Sequence, residues 1–372
     1  MNMHTNIAGQ IKVGVHYRRG YIQQVELISS RPVQLTRMLE GKTPDEVVQQ
    51  VPLLFSLCRC AQSVATLTAI ESLQGWKPHA AVIEARQFLL LAETARELGI
   101  RLARDWMPES KVIDLPKLLC WYAEVSNALS WALLLKPGRE PSVLAYSDWA
   151  AELCRILSVI TEADELQFKE AVLTHRRSHP VGQVVAELSE TFKGIELGRG
   201  CHEIQMTPGY LGHKLNTDAF EFCAKPVTET GCLETSMWTR NRTRQMIKES
   251  ELLAMHPIAQ RFLALLLELR SLPQRLHQIK AESLIEVEEP GLVKVEAARG
   301  MLVHQLKTEI SDQGERVRGF KLIAPTEWNF HPQGTLVRML EGVRVPADKL
   351  KLLVEKLVLA VDPCVSYEVE VI

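Results

Sequence analysis

The sequence predicts a predominantly helical α+β protein, with small sheet elements near both ends of the chain and a helical body between them. Three patterns indicate this class: polar and apolar residues alternate at the start, recur at helical spacing through the middle, and alternate again towards the end. Of the 372 residues, 46% are hydrophobic and 24% are charged, which is typical of a globular protein. No Gly, Ser or Pro tract interrupts the pattern, so we expect a single domain over residues 1–372.

The first predicted element is a β-hairpin at 10–29, because polar and apolar residues alternate there around a turn at Arg18, Arg19 and Gly20. From Val33 onward the apolar residues recur at helical spacing. This spacing predicts four strong amphipathic helices, at 61–73, 80–106, 115–135 and 258–280.

Strands are predicted again near the end of the chain. They lie at 292–296, 302–310 and 317–323, separated by Gly300 and by the polar turn 312–314. Two helices follow, near Leu336 and Leu350. The tail at 365–371 has valine and tyrosine on one side of a two-residue period and serine and glutamate on the other, which predicts a last strand.

Composition excludes several functional classes. The net charge is −2, with Lys and Arg scattered among acids, so nucleic acid is not an expected partner. The longest purely apolar run, 262–267, is far shorter than the roughly 18–20 residues that cross a bilayer, and 1–20 has no apolar signal core. We therefore expect a cytoplasmic protein without membrane contact. The eight cysteines are interpreted as reduced thiols, with Cys120, Cys154 and Cys223 buried as small hydrophobic residues.

Four short segments, spread over much of the chain, carry a resemblance. They are ETGCL at 229–233, EAARG at 296–300 with His304 downstream, APTEWNFHP at 324–332, and DPC at 362–364. Taken alone, Arg299 would be a surface ion pair and Trp328 a core anchor. As a set they resemble the large subunits of nickel-iron hydrogenases, whose segments are E-T-G-x-L, E-A-P-R-G, P-T-x-W-N-x-x-P and D-P-C. The resemblance implies a hydrogenase large-subunit-like fold.

In that family, two C-x-x-C pairs supply four thiolates that hold nickel together with an iron carrying carbon monoxide and cyanide. Here the N-terminal pair aligns with Phe55 and Cys58, and the C-terminal pair aligns with Cys364 and Tyr367. The histidine that follows the first pair aligns with Gln62, and the one that follows the second aligns with Glu370. Two of the four thiolates remain, which implies that no stable nickel site forms.

The resemblance also implies that the proton-relay residue of the family is absent from this chain, whereas two residues that face the diatomic ligands are present. The proton-relay glutamate of the family aligns with Ala8, which cannot transfer a proton, so no catalysis is expected. By contrast, Arg299 and Thr326, the latter preceded by Pro325, fall on positions that face the diatomic ligands of the iron and donate hydrogen bonds to cyanide. Because Ala298 stands where the family has proline, the resemblance does not predict the backbone geometry beside Arg299.

The candidate metal ligands are Cys58, Cys364 and Cys60. Cys364 follows an Asp-Pro pair that favours a tight turn and presents its thiol inward. Cys60 lies two residues from Cys58, about 200° away around a helix, so both thiols reach one iron only if this stretch is not helical. His202 lies beside Cys201 and Glu203 without a partner at ligand spacing, and we interpret it as structural.

The resulting hypothesis is a non-enzymatic hydrogenase maturation protein, of the HupK/HoxV type of large-subunit-like scaffold. It would transiently hold iron with cyanide and carbonyl ligands. Its partners would be small hydrogenase maturation chaperones and the hydrogenase large subunit precursor, and it would need no C-terminal cleavage. A divergent hydrogenase is disfavoured by Phe55, Tyr367 and Ala8. The other alternative is a structural or quinone-handling subunit related to respiratory-complex homologues of the large subunit.

Overall fold

The computed structural model describes residues 9–109, 112–138, 146–161, 174, 178–201, 206–217, 219–243 and 255–372. The helices are α1 Pro44–Leu54, α2 Arg59–Leu73, α3 Ala80–Arg101, α4 Leu115–Ala128, α5 Tyr146–Ile156, α6 Ser158–Thr161, α7 Pro180–Thr191, α8 Tyr210–Thr217, α9 Ala219–Ala224, α10 Met237–Thr243, α11 Pro257–His277, α12 Pro325–Asn329, α13 Thr335–Leu340 and α14 Ala347–Val361. The strands are β1 Gln10–Arg18, β2 Tyr21–Ser29, β3 Ile285–Glu289, β4 Leu292–Ala297, β5 Gly300–Ser311, β6 Gly314–Ile323 and β7 Ser366–Val371.

The two ends of the chain meet in a three-stranded sheet ordered β2-β1-β7. Strand β1 pairs antiparallel with β2, placing Val15 opposite Val25, and parallel with β7, placing Val15 opposite Val371. Val13 and Val15 of β1 are buried and belong to the main core. The predicted hairpin and tail strand are confirmed, and their pairing brings the end of the chain beside its beginning.

The second sheet is antiparallel and ordered β3-β4-β5-β6. Helix α2 packs against β4 and β5. At the β4–β5 turn, Gly300 has a φ of 140° and its Cα lies against Thr235, where a Cβ would come within 2.4 Å of the Thr235 hydroxyl. Only glycine fits such a conformation beside such a neighbour. The contact of α2 with the sheet positions the segment that carries Cys58, and the β4–β5 turn positions Arg299.

Helices α3, α4, α5 and α11 pack together as the predicted helical body. The predicted helix at 80–106 is confirmed, although its last turn, Leu102–Trp106, is π-helical. The helix predicted at 115–135 is shorter: α4 ends at Ala128 and a 3-10 turn, Ser130–Leu133, follows. No helix among the described residues is long and apolar enough to span a membrane.

The burial of the cysteines does not always follow from their apolar neighbours in the sequence. All eight are free thiols. Cys223 is buried as predicted, but the prediction that Cys120 and Cys154 are buried was wrong, because both thiols are exposed. Each belongs to an amphipathic helix, α4 or α5, whose opposite face enters the core. Apolar neighbours along the chain do not bury a residue that faces away from the core.

Candidate functional site

Four segments that are distant in sequence converge between the two sheets and the helical body. Cys58 immediately precedes α2, and Cys364 lies between α14 and β7. Arg299 lies in the β4–β5 turn, and Thr326 lies in the first turn of α12. The fold therefore brings both retained cysteines and both retained hydrogen-bond donors to one region.

Cys58 and Cys364 line the same cavity, whose volume is about 90 Å³. Its wall also includes Arg31 and Glu327, which form an ion pair with Nε 2.5 Å from Oε1, and Phe55 at the position of the lost cysteine. Burial, and then the neighbouring Cys364 thiol, raise the pKa of Cys58 to about 12. The Cys58 thiol is therefore protonated at neutral pH and would lose its proton on binding a soft metal.

Hydrogen bonding holds the backbone at Cys364. Its N–H donates to the Thr326 hydroxyl oxygen at 3.1 Å, and this oxygen keeps its own proton available to donate. Pro325 occupies the first turn of α12, where its missing N–H costs no hydrogen bond. Asp362, with a φ of 64°, ends α14 in the left-handed conformation that Asp tolerates. The Asp-Pro turn thus presents a cysteine, as the sequence predicts.

Arg299 is buried and carries two carboxylate partners. Its Nη1 donates to Glu97 Oε2 at 2.8 Å, and its Nε lies 3.2 Å from Asp362 Oδ2 without a well-formed hydrogen bond. Burial opposes the shift, but the Asp362 and Glu97 carboxylates hold the pKa of Arg299 well above its usual value. Arg299 and Cys364 both line a wider groove of about 1130 Å³. The guanidinium is therefore held in place beside Cys364.

The backbone around Arg299 is fixed although proline is missing at Ala298. The Arg240 guanidinium donates to the carbonyl oxygens of Ala297 and Ala298 at 2.7 and 2.9 Å. Asn329 Nδ2 donates to the Arg299 carbonyl oxygen at 3.0 Å. Side chains from two other elements thus supply the restraint that a proline ring would give.

Cys60 lies apart from the two other cysteines. Residues 59–73 are helical, and the Cys60 sulfur lies 3.4 Å from the Tyr122 hydroxyl rather than in the cavity wall. Its backbone N–H donates to the buried Glu93 carboxylate at 2.8 Å. Burial, and then the Glu93 charge, raise the pKa of Cys60 to about 12. The helix therefore turns Cys60 away from Cys58, and the structure groups only Cys58 with Cys364.

Two neighbours of the thiols were not singled out from the sequence as site residues. Arg31 follows β2 and belongs to no motif, so no local signal marks it. Gln62 was noted only as the replacement of a family histidine, yet its amide Nε2 donates to Cys58 Sγ at 3.5 Å. Its Oε1 lies 2.8 Å from Nε2 of the fully buried His304. Arg31 reaches the site through long-range contacts, whereas Gln62 lies one turn after Cys58 and is held by the distant His304.

The donor set is sparse for a bare metal ion. Among the described residues, no group of three or more His, Cys, Asp or Glu side chains is arranged to hold one. Two thiols in an otherwise largely apolar cavity instead suit a soft metal that carries other ligands with it. Ala8 and the pair His202 and Glu203 lie outside the described residues.

Comparison with known proteins places the chain. No family model matches it. Hydrogenase expression/formation protein HupV of Azotobacter chroococcum mcd 1 is 31% identical over 383 residues, covering 98% of this chain and 99% of the relative. The chain belongs to this family of hydrogenase expression/formation proteins. Another hydrogenase expression/formation protein, HupK of Azotobacter vinelandii, is 28% identical over 368 residues, covering 98% of this chain and 99% of HupK.

The fold of this hydrogenase expression/formation protein is that of hydrogenase large subunits, as the motifs imply. The chain is similar to a [NiFeSe] hydrogenase from Desulfovibrio vulgaris Hildenborough, with a TM-score of 0.62, 14% identity, and coverage of 94% of each chain. At this identity the likeness concerns the fold alone. The enzyme fold is thus retained in a chain with Phe55 and Tyr367 at two metal-ligand positions of the family.

Proposed function

We propose that this protein is a non-catalytic scaffold in [NiFe] hydrogenase maturation, which transiently holds an iron unit with cyanide and carbonyl ligands between Cys58 and Cys364. The observation that carries the proposal is the shared cavity of these two thiols, which come from opposite ends of the chain. The relatives named as hydrogenase expression/formation proteins support a role in hydrogenase maturation. The shared cavity supports the binding of an iron unit by the two thiols.

The number of protein ligands favours a temporary site. An iron that already carries strong diatomic ligands needs few further donors, and two thiolates suffice to hold it. Phe55 and Tyr367 stand where the family has further thiolates, so a dinuclear nickel-iron centre lacks its bridging pair. A site with fewer thiolates binds its cargo less tightly than the final enzyme, which permits release.

Arg299, Thr326 and Pro325 have supporting roles in this proposal. Thr326 retains a hydroxyl proton beside the Cys364 backbone, and Arg299 presents further N–H donors in the adjoining groove. Both donors would orient the anionic cyanides, since charge-assisted hydrogen bonds are the stronger ones. Pro325 sets the start of the short helix that carries Thr326.

The wider groove supports transfer of the cargo. It shares Cys364 with the small cavity and is lined by charged side chains, including Arg104 and Lys356. We propose that small maturation chaperones deliver the iron unit here, and that the hydrogenase large subunit precursor receives it. An incoming donor would need to reach only one side of Cys364 to displace it.

Infrared spectroscopy tests the proposal. Protein purified without oxygen from a host with active hydrogenase maturation should show cyanide and carbonyl stretches, with iron but no stoichiometric nickel. Cys364→Ser and Cys58→Ser should each remove the bands because two-point attachment is lost. Cys154→Ser changes an exposed thiol outside the site, and this matched control should retain them.

Two results would contradict the proposed iron-carrying role. Folded, fully reduced protein that carries neither iron nor diatomic bands would overturn the cargo role and leave a structural role in its place. Stoichiometric nickel that disappears with Cys58→Ser would instead indicate a divergent hydrogenase centre.

A further inference from the structure

A chain of buried hydrogen bonds runs from Cys58 into the core. Gln62 Nε2 donates to Cys58 Sγ at 3.5 Å, and Gln62 Oε1 lies 2.8 Å from His304 Nε2. His304 Nδ1 lies 3.2 Å from the Thr66 hydroxyl. Gln62, His304 and Thr66 are at most 1% exposed, so water does not compete for these bonds. The chain is assembled from α2 and β5, which pack together.

Every bond in this chain has a defined direction. The Gln62 amide oxygen has no proton, so His304 Nε2 must be the donor to it. A neutral ring then accepts at Nδ1, and the Thr66 hydroxyl donates there. His304 is neutral because burial lowers its pKa to about 3. These directions hold with the amide NH₂ of Gln62 facing the sulfur and its oxygen facing His304.

We propose that Gln62, locked by His304 and Thr66, is a positioning residue that donates to the Cys58 thiolate and orients it for metal binding. This inference rests on the proposed function of Cys58 as a cargo ligand. The hydrogen bond draws electron density from the sulfur and occupies one side of it.

The placement of Gln62 supports a specific role beyond packing. It stands at the position where the family has a histidine, one turn after Cys58 on the same face of α2. Unlike a histidine, a glutamine remains uncharged and keeps both a donor and an acceptor at every pH. Neighbours that orient metal ligands by hydrogen bonding typically change metal affinity by about 10- to 100-fold.

The test uses Cd²⁺ alone as a soft probe in fully reduced protein, followed by the ultraviolet absorption of thiolate-to-cadmium charge transfer. Subtracting the titration of Cys58→Ser isolates the binding that depends on Cys58. Gln62→Leu should weaken this binding by about 10- to 100-fold. Gln87→Leu removes another buried glutamine, which bonds to Ile279 and Leu284 instead, and should bind as wild type does.

Thr66→Val provides a second variant, close to wild type in volume, in case Gln62→Leu fails to fold. It removes the far anchor of the chain and should weaken Cys58-dependent binding in the same direction by a smaller factor. Nuclear magnetic resonance of ring-labelled histidine should show the His304 proton on Nε2 in the wild type and a mixture of tautomers in Thr66→Val.

Two results would overturn the inference: Gln62→Leu binding Cd²⁺ as tightly as wild type, or the His304 proton residing on Nδ1. Neither depends on the iron cargo. Weaker binding in Gln62→Leu, together with an absence of diatomic bands in the wild type, would support the positioning role while refuting the proposed cargo.

Discussion

Asp362 is the residue that connects the cysteine turn to the arginines around it. Its side chain is 1% exposed and lies 2.5 Å from Arg101 Nη2 and 3.2 Å from Arg299 Nε. Arg101 also donates to the Pro363 carbonyl oxygen at 3.2 Å. One carboxylate thus compensates two buried cations and holds the backbone on which Cys364 follows.

Replacing Asp362 with asparagine should destabilise the protein by about 1–3 kcal/mol, because the buried Arg101 and Arg299 would each lose one counter-charge and keep only Asp105 and Glu97, respectively. Urea denaturation measures the loss. The matched control is Glu368→Gln, which removes a surface pair with Lys12 at 3.9 Å and should cost about 0–1 kcal/mol. Equal losses in the two variants would show that Asp362 is not a structural centre.

At the scale of elements, the β4–β5 turn determines where Arg299 lies. Gly300 begins β5 with a φ of 140°, and the Arg299 carbonyl oxygen is held by Asn329 of α12. Thr235 donates its backbone N–H to the same Asn329 side chain at 2.8 Å. The turn and α12 are therefore one structural unit, and that unit carries both Arg299 and Thr326.

Gly300→Ala should destabilise the fold by about 1–3 kcal/mol, since the added methyl group would meet Thr235 atoms, including the backbone oxygen at 2.6 Å. The thermal unfolding midpoint and the intensity of the diatomic bands should both fall. Gly319→Ala is the matched control within β6, where an added Cβ meets nothing within 4 Å. If both variants unfold at the same temperature, the close approach at Gly300 does not constrain the turn.

At the scale of the whole molecule, the buried His304 and the partly buried His256 couple stability to pH. Burial lowers the pKa of His256 from 6.5 to about 4 and that of His304 from 6.5 to about 3. Below pH 6.5 the unfolded chain binds protons that the folded protein does not bind. The contribution of these two histidines to stability is therefore complete above pH 6.5 and declines as the pH falls towards 4, by up to about 1.4 kcal/mol per pH unit for each group. Glu93, whose pKa is raised by burial to about 7, contributes with the opposite sign between pH 7 and 4.5.

Denaturation with urea at pH 7.5, 6.5, 5.5 and 4.5 should reveal the His256 contribution as a difference in the free energy of unfolding between the wild type and His256→Gln that changes only below pH 6.5. His256→Gln should make the slope below pH 6.5 shallower, because one proton-linked group is removed. A slope in this variant that equals that of the wild type would contradict the assignment.

How far the sequence determines the site depends on the range of the contacts. The motif residues Arg299, Thr326 and Cys364 were found because each stands in a contiguous segment. Arg31 and the partners of Gln62 were not found, because they reach Cys58 through sheet pairing and helix packing that no local pattern encodes. Helix boundaries such as the end of α4 at Ala128 also depend on tertiary packing, which overrides weak helix propensity.

The sequence by itself determined the fold class, the hairpin, the tail strand and the family resemblance. The elements follow from periodicity, and the resemblance follows from contiguous motifs, which imply that two thiolates are missing at Phe55 and Tyr367. Only the tertiary structure decided that Cys58 and Cys364 line the same cavity, while the Cys60 sulfur lies beside the Tyr122 hydroxyl. The physical reason is that the helix starting at Arg59 directs alternate side chains apart, whereas the pairing of β7 with β1 returns the end of the chain to its beginning.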